Sequence, residues 1–161
     1  MAFEVMLQAT RWGAPREERN PFTGGMVTCC PEELSEADLA AMRGVLVRAG
    51  ATLDDEGGGF VALARARLEL YGPSAALVKV SGDLESACVV LFDLATAGNL
   101  SICAPNFLED EPVLVTTAEA LARIEQAPAE RQAIVIANAG ELARRLAPHQ
   151  AAALRYAAQV T

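Results

Sequence analysis

Apolar residues recur along the chain at two spacings, which predict strands in some segments and helices in others. Residues 3–9 (FEVMLQA) place Phe, Val and Leu on one face, so they predict a strand with that face in the core. Every even residue of 60–71 is apolar, which predicts a second strand, and residues 75–82 (AALVKVSG) predict a third. These two strands are expected to form a hairpin through a turn at 72–74, and residues 100–104 (LSICA) predict a fourth strand.

The segments between these strands carry the period of amphipathic helices. Residues 35–38 (SEAD) form a variant capping box, the apolar residues after it recur three and four apart, and Gly50 suits the helix end. A second helix is predicted over residues 83–96. Before the first helix we expect a polar loop, a turn at 20–25 (NPFTGG) and a short extended arm at 26–30.

The element order over residues 2–104 is therefore strand, helix, strand, strand, helix, strand, which is the order of a ferredoxin-like βαββαβ domain. The last third of the chain contains an internal repeat, because residues 113–124 and 135–146 align without gaps. Each copy is a short apolar strand followed by an N-cap residue, Thr116 or Asn138, with a glutamate three residues later. The repeat predicts two short β–α units that extend the sheet.

A separate carboxy-terminal helix is predicted to begin near Pro148, because proline is favourable in the first turn of a helix.

The chain has 161 residues, 52% of them apolar and 21% charged, which is typical of one globular domain. We therefore interpret residues 1–161 as a single α+β domain, in which residues 105–161 pack as a β–α extension on the ferredoxin-like part.

The four cysteines are interpreted as structural residues. The chain shows no export signal and no apolar run near the roughly 18 residues that a membrane helix needs, so we expect a cytosolic protein with reduced thiols. Cys29 and Cys30 are neighbours on an extended arm and point to opposite sides, and the chain lacks C-x-x-C spacing. The sequence therefore predicts no metal site and no cofactor.

Negative charge is concentrated in the middle of the chain. The formal net charge is −8, and residues 80–122 contain seven acidic residues without a single lysine or arginine. An acidic field repels phosphate backbones, so nucleic-acid binding is not expected. A cationic protein is the partner that this charge distribution favours.

No arrangement of residues points to catalysis. His149 is the only histidine, it is expected to face solvent, and the chain has no G-x-S-x-G motif. The glycines at 57–59 are not followed by the lysine of a phosphate-binding loop and precede a strand. We therefore expect a protein that is not an enzyme.

The leading hypothesis is a non-catalytic acidic module that binds a basic protein, and its narrower form is a cytosolic immunity or antitoxin-like inhibitor. The candidate docking residues are the acids of two runs, Asp54, Asp55, Glu56, Glu109, Asp110 and Glu111. An acidic surface speeds the association of a cationic partner by electrostatic steering.

Two alternatives remain open. One is a small-ligand or regulatory domain with a groove between the sheet and the second helix, in which Arg65 or Arg67 would contact the ligand. The other is an enzyme that uses carboxylates such as those of residues 109–111. A homodimer is compatible with all three, because a sheet edge or an Ala-rich helix could pair two copies.

Overall fold

Eight strands form one mixed sheet at the centre of the molecule. The structure, a computed structural model, describes residues 2–29, 32–71, 77–127 and 131–160. The described strands are β1 (Phe3–Ala9), β2 (Arg11–Trp12), β3 (Arg16–Arg19), β4 (Met26–Cys29), β5 (Glu32–Glu33), β6 (Thr52–Leu53), β7 (Gly59–Ala62), β8 (Ala66–Tyr71), β9 (Leu77–Gly82), β10 (Leu100–Cys103), β11 (Val113–Val115) and β12 (Ala133–Val135). The described helices are α1 (Glu36–Arg48), α2 (Leu84–Gly98), α3 (Ala118–Glu125) and α4 (Ala139–Val160).

The strand order in the large sheet is β12-β11-β10-β1-β9-β8-β7-β6. Neighbouring strands are antiparallel except for β11 and β12, which are parallel and connected by α3. The predicted α+β class is confirmed. The ferredoxin-like arrangement predicted for residues 2–104 is not confirmed, because the eight-stranded sheet is larger than the sheet that the sequence predicts.

The helices lie on both faces of the sheet. Helices α1, α2 and α4 pack together over the face that carries Phe3, Val5 and Leu7, whose side chains are at most 2% exposed. Helix α3 packs on Val113 and Val115 of β11. Leu114, between them, belongs to the core under α1, α2 and α4, so the two valines face the opposite side of the sheet. The other side of the β7–β8–β9 region carries half-buried and exposed side chains, so we call it the open face.

The prediction of a single strand over residues 60–71 is wrong, because the chain reverses direction within this segment. Strands β7 and β8 form an antiparallel hairpin, and the Leu63 amide donates to the Ala66 carbonyl oxygen at 2.8 Å in the turn. The reversal shifts the phase of the pattern: Val61 is buried opposite Leu68, whereas Phe60 lies on the open face. Strand β6 then pairs with β7 and adds a further strand at the sheet edge.

The amino-terminal connection is more ordered than the sequence predicts. Residues 10–20 were expected to be a polar loop, yet β3 pairs with the arm strand β4, and the Asn20 side chain accepts amide hydrogen bonds from Phe22 and Thr23 in the turn between them. Strands β2 and β5 form a second small ladder. Cys30 and the predicted turn at 72–74 lie outside the described residues.

Most helix starts agree with the capping patterns. The capping box at Ser35 and the cap at Asn138 are confirmed, with amide-to-oxygen distances of 3.0 Å and 2.9 Å. The N-cap of α3 is Thr117 and not Thr116, whose hydroxyl instead accepts a hydrogen bond from the Thr96 hydroxyl. An N-cap residue needs its side-chain oxygen within hydrogen-bond distance of the free amides at the helix start. Two adjacent threonines in a sequence do not show which of the two hydroxyls is in that position.

The prediction of a separate last helix is also wrong, because α4 runs without a break from Ala139 to Val160 with Pro148 inside it. A proline in a helix interior loses one backbone hydrogen bond, but Leu142 and Leu146 before it and Ala153 after it all pack on the core. Burial on both sides of the proline keeps the helix continuous. Among the described helices, none combines the length and apolar character needed to cross a membrane.

Candidate functional site

The two predicted acidic runs lie toward opposite edges of the sheet. The acidic loop, Asp54 to Glu56, connects β6 and β7 at one edge, and the second acidic run, Glu109 to Glu111, lies in the connection from β10 to β11. About five inter-strand spacings of ~4.8 Å separate the two connections, or roughly 24 Å across the sheet. The six predicted docking residues therefore form two sites and not one.

Asp54 organises the acidic loop. Its Oδ1 accepts hydrogen bonds from the amides of Glu56 and Gly58 at 2.9 and 2.8 Å, and its own amide donates to the Gly58 carbonyl oxygen at 2.8 Å. Asp55 and Glu56 are exposed, and none of the three carboxylates forms an ion pair within the described ranges. The loop thus holds three uncompensated charges on a fixed backbone.

An apolar groove runs between the acidic loop and α1. Its volume is about 600 Å³, and its apolar lining residues include Leu39, Met42, Leu46 and Leu53. Leu39 is 38% exposed, so the groove presents apolar surface to solvent. The groove therefore joins apolar surface to the carboxylates of the loop.

A second cavity, the aromatic cup, lies on the open face at the same loop. It has a volume of about 420 Å³, and Phe60, Tyr71, Arg67 and Glu69 line it together with Asp54 and Glu56. The even-position pattern of residues 60–71 does not predict the cup, because it places Phe60 on the core side of one long strand. The alternation of Arg67 and Glu69 in the same segment is the sequence feature that indicates a charged face there.

The second acidic run lines a recess of about 500 Å³ together with Glu125 and Arg131. Glu109 and Asp110 are exposed and make no ion pair within the described part of the chain. Glu111 differs from them, because its carboxylate accepts from the Leu108 amide at 3.0 Å and lies 2.7 Å from a nitrogen of His149. The half-buried Glu111 carboxylate is therefore engaged by its own neighbours.

The expectation of a solvent-facing His149 is wrong. Its side chain is 16% exposed, its ring lies 4.3 Å from the ring of Phe107, and its Nε2 is the atom that contacts Glu111. Asn106 adds a hydrogen bond from its side-chain amide to the His149 carbonyl oxygen at 3.0 Å. The sequence could not place His149, because its partners lie about forty residues earlier in the chain.

The interface between α2 and the sheet, where a ligand groove was expected, is packed core. Cys88, Leu91 and Leu94 on α2 are 0% exposed. Burial, reinforced by the charges of Asp83 and Glu85, raises the pKa of the Cys88 thiol to about 12, so it stays neutral and unreactive near neutral pH. No group of three or more His, Cys, Asp or Glu side chains able to hold a metal ion occurs among the described residues.

Arg65 and Arg67 were the cations expected to contact a ligand in that groove. Both lie at the hairpin of β7 and β8, where Arg65 pairs with Asp83 at 3.9 Å and Arg67 pairs with Glu69 at 3.4 Å. Their side chains are 77% and 50% exposed, respectively. Arg67 therefore belongs to the aromatic cup and not to the interface with α2.

Asp83 gives a pH-dependent prediction. It caps α2 by accepting from the Ser86 hydroxyl and from the Ser86 amide at 3.0 Å, and these bonds, with a smaller effect of Arg65, lower its carboxyl pKa. A lowered folded-state pKa stabilises the fold above the unfolded value of about 3.9 and loses that effect as pH falls through the folded value. We expect Asp83→Asn to be less stable than wild type near pH 7, with the difference vanishing in acid.

Urea denaturation midpoints at about pH 7, 5 and 3 measure this convergence. Glu85→Gln removes an exposed charge from the same helical turn without removing a cap, so it is the matched control. A deficit of Asp83→Asn that stays constant down to the lowest pH would contradict the assignment.

Comparison of the chain with protein-family models, with curated proteins and with solved structures finds no match. The fold and the loops define an α+β protein with a mixed eight-stranded sheet and an acidic loop between two cavities.

Proposed function

We propose that this protein is a non-catalytic acidic module that binds a basic protein through the acidic loop. The observation that carries the proposal is the run of three exposed carboxylates, Asp54, Asp55 and Glu56, which form no ion pair with any described residue and line a largely apolar groove. The carboxylates would steer a cationic partner toward the surface, and the groove would bury its apolar side chains. We further propose that the partner is an intracellular toxin-like protein and that this module acts in the cytosol as its inhibitor.

The ferredoxin-like origin of the sheet is part of this proposal. The order β10-β1-β9-β8 at the centre of the sheet supports it, since β1, β9 and β10 correspond to three of the strands predicted over residues 2–104 and β8 is the second half of the fourth. Strands β6 and β7 at one edge, and β11 and β12 at the other, would then be additions. The acidic loop lies in one of these additions.

The test begins with affinity capture from native lysate at low and at high salt, which identifies a basic protein that is released as salt rises. Association rates of that protein are then measured for wild type and for Asp55→Lys/Glu56→Lys. We expect the variant to associate about tenfold more slowly at low salt and to lose most of the salt dependence.

Glu109→Lys/Asp110→Lys is the matched variant, because it changes the net charge equally at exposed residues far from the groove. It should slow association much less, since it alters only the overall field. Equal rates for wild type and the Asp55/Glu56 variant would reject the acidic loop as the docking site.

A small-ligand-binding function is the second candidate. The lining of the groove favours it, because it combines apolar side chains with the charged residues Arg43 and Asp55. A metabolite that raises Tm in a concentration-dependent way, in a protein that captures no basic partner, would favour this second function.

A further inference from the structure

The aromatic cup has the chemistry of a cation-binding site. Two rings, Phe60 and Tyr71, line it together with the Glu69 carboxylate. The Tyr71 ring already has Lys79 Nζ 5.1 Å from its centroid, so Phe60 is the ring that an incoming cation would contact. Aromatic faces attract cations through their quadrupole, and carboxylates add direct charge and hydrogen-bond acceptors. Asp54 and Glu56 also line the cup and contribute two further negative charges, although Asp54 Oδ1 is already bonded to loop amides.

A cation of the protein itself already occupies the cup. The guanidinium carbon of Arg67 lies 4.1 Å from the centroid of the Phe60 ring, and its Nε lies 3.4 Å from Glu69 Oε1. The other oxygen of Glu69 accepts from the Tyr71 hydroxyl at 3.1 Å, which holds the carboxylate in place. The cup is thus shaped around a guanidinium group.

Arg67 is not fixed in this position by burial. Its side chain is 50% exposed, and Glu69 is 41% exposed, so the contact between them is a solvent-accessible ion pair of small net stability. If Arg67 turned toward solvent, it would leave the Phe60 face and Glu69 Oε1 free. A guanidinium group from another chain could make the same two contacts.

We propose that the cup is the subsite for an arginine side chain of the basic partner, and that Arg67 fills it in the free protein. This inference rests on the proposed function and names the partner group that docks beside the acidic loop. Arginine suits the site better than lysine, because a planar guanidinium stacks on a ring and pairs with a carboxylate at the same time. The partner's arginine displaces Arg67 on binding.

The test uses ethylguanidinium and ethylammonium as probes, titrated into the full chain and followed by NMR. The variant Arg67→Ala vacates the cup, whereas Arg65→Ala removes the same charge from the neighbouring turn, where that residue pairs with Asp83. We expect Arg67→Ala to bind ethylguanidinium at least about threefold more tightly than wild type or Arg65→Ala, and more tightly than ethylammonium.

A second change identifies the ring. Phe60→Leu keeps an apolar side chain and removes the quadrupole, so in the Arg67→Ala background it should weaken ethylguanidinium binding about two- to fivefold. Equal binding by Arg67→Ala and Arg65→Ala, or no preference for guanidinium over ammonium, would overturn the inference. If that happened while Asp55→Lys/Glu56→Lys still slowed partner association, the proposed function would stand without the cup.

Discussion

Gly59→Ala is expected to lower the free energy of unfolding by about 2–4 kcal/mol and to disorder the acidic loop. Gly59 has a φ of +153°, and a Cβ built on it would lie 2.0 Å from the Thr52 carbonyl oxygen of β6. The backbone of two paired strands cannot absorb such a collision by a side-chain movement. Detaching β6 would relieve it, but the hairpin hydrogen bonds and the packing of Leu53 would then be lost.

Urea denaturation measures the global effect of Gly59→Ala, and hydrogen exchange of the Asp54 amide, which is bonded to the Gly58 carbonyl oxygen, measures the local one. Gly50→Ala is the control, because Gly50 has a φ of +76° with no atom within 4 Å of its built Cβ. It should cost only the backbone strain of about 1–2 kcal/mol and leave Asp54 exchange unchanged. Similar losses in both variants would show that the close approach of β6 and β7 is not important.

His149→Ala is expected to lower the free energy of unfolding by about 1.5–3 kcal/mol. The change removes the ring contact with Phe107 and leaves the half-buried Glu111 carboxylate without the imidazole that contacts it. These contacts join α4 to the connection between β10 and β11. We therefore also expect faster hydrogen exchange in that connection.

A double-mutant cycle with Glu111→Gln, measured by denaturation at one neutral pH, separates the two contributions to the His149 effect. His149→Phe keeps a ring against Phe107 and removes the hydrogen bond, so it should recover part of the loss. If His149→Ala and Glu111→Gln were additive, the contact between the two side chains would contribute nothing to stability. Binding of a basic partner should be unaffected, since Glu111 is already engaged within the protein.

The local elements of this protein follow closely from its sequence. The capping box at Ser35 fixes the start of α1, and the alternation of Phe3, Val5 and Leu7 fixes both β1 and the face it buries. Such features depend on residues a few positions apart, so short-range periodicity and hydrogen bonding determine them. The α+β class follows in the same way from the mixture of the two periods.

Only the tertiary structure decided where those elements meet. Apolar alternation looks the same through the turn between β7 and β8 as along a single strand. The pairing of β7 with β8 and β6 is what placed Phe60 on the open face. The partners of His149 and the distance between the two acidic runs depend on strand order, which contacts between distant residues set. The sequence by itself therefore determined the charged loops, and the sheet decided which cavities they border.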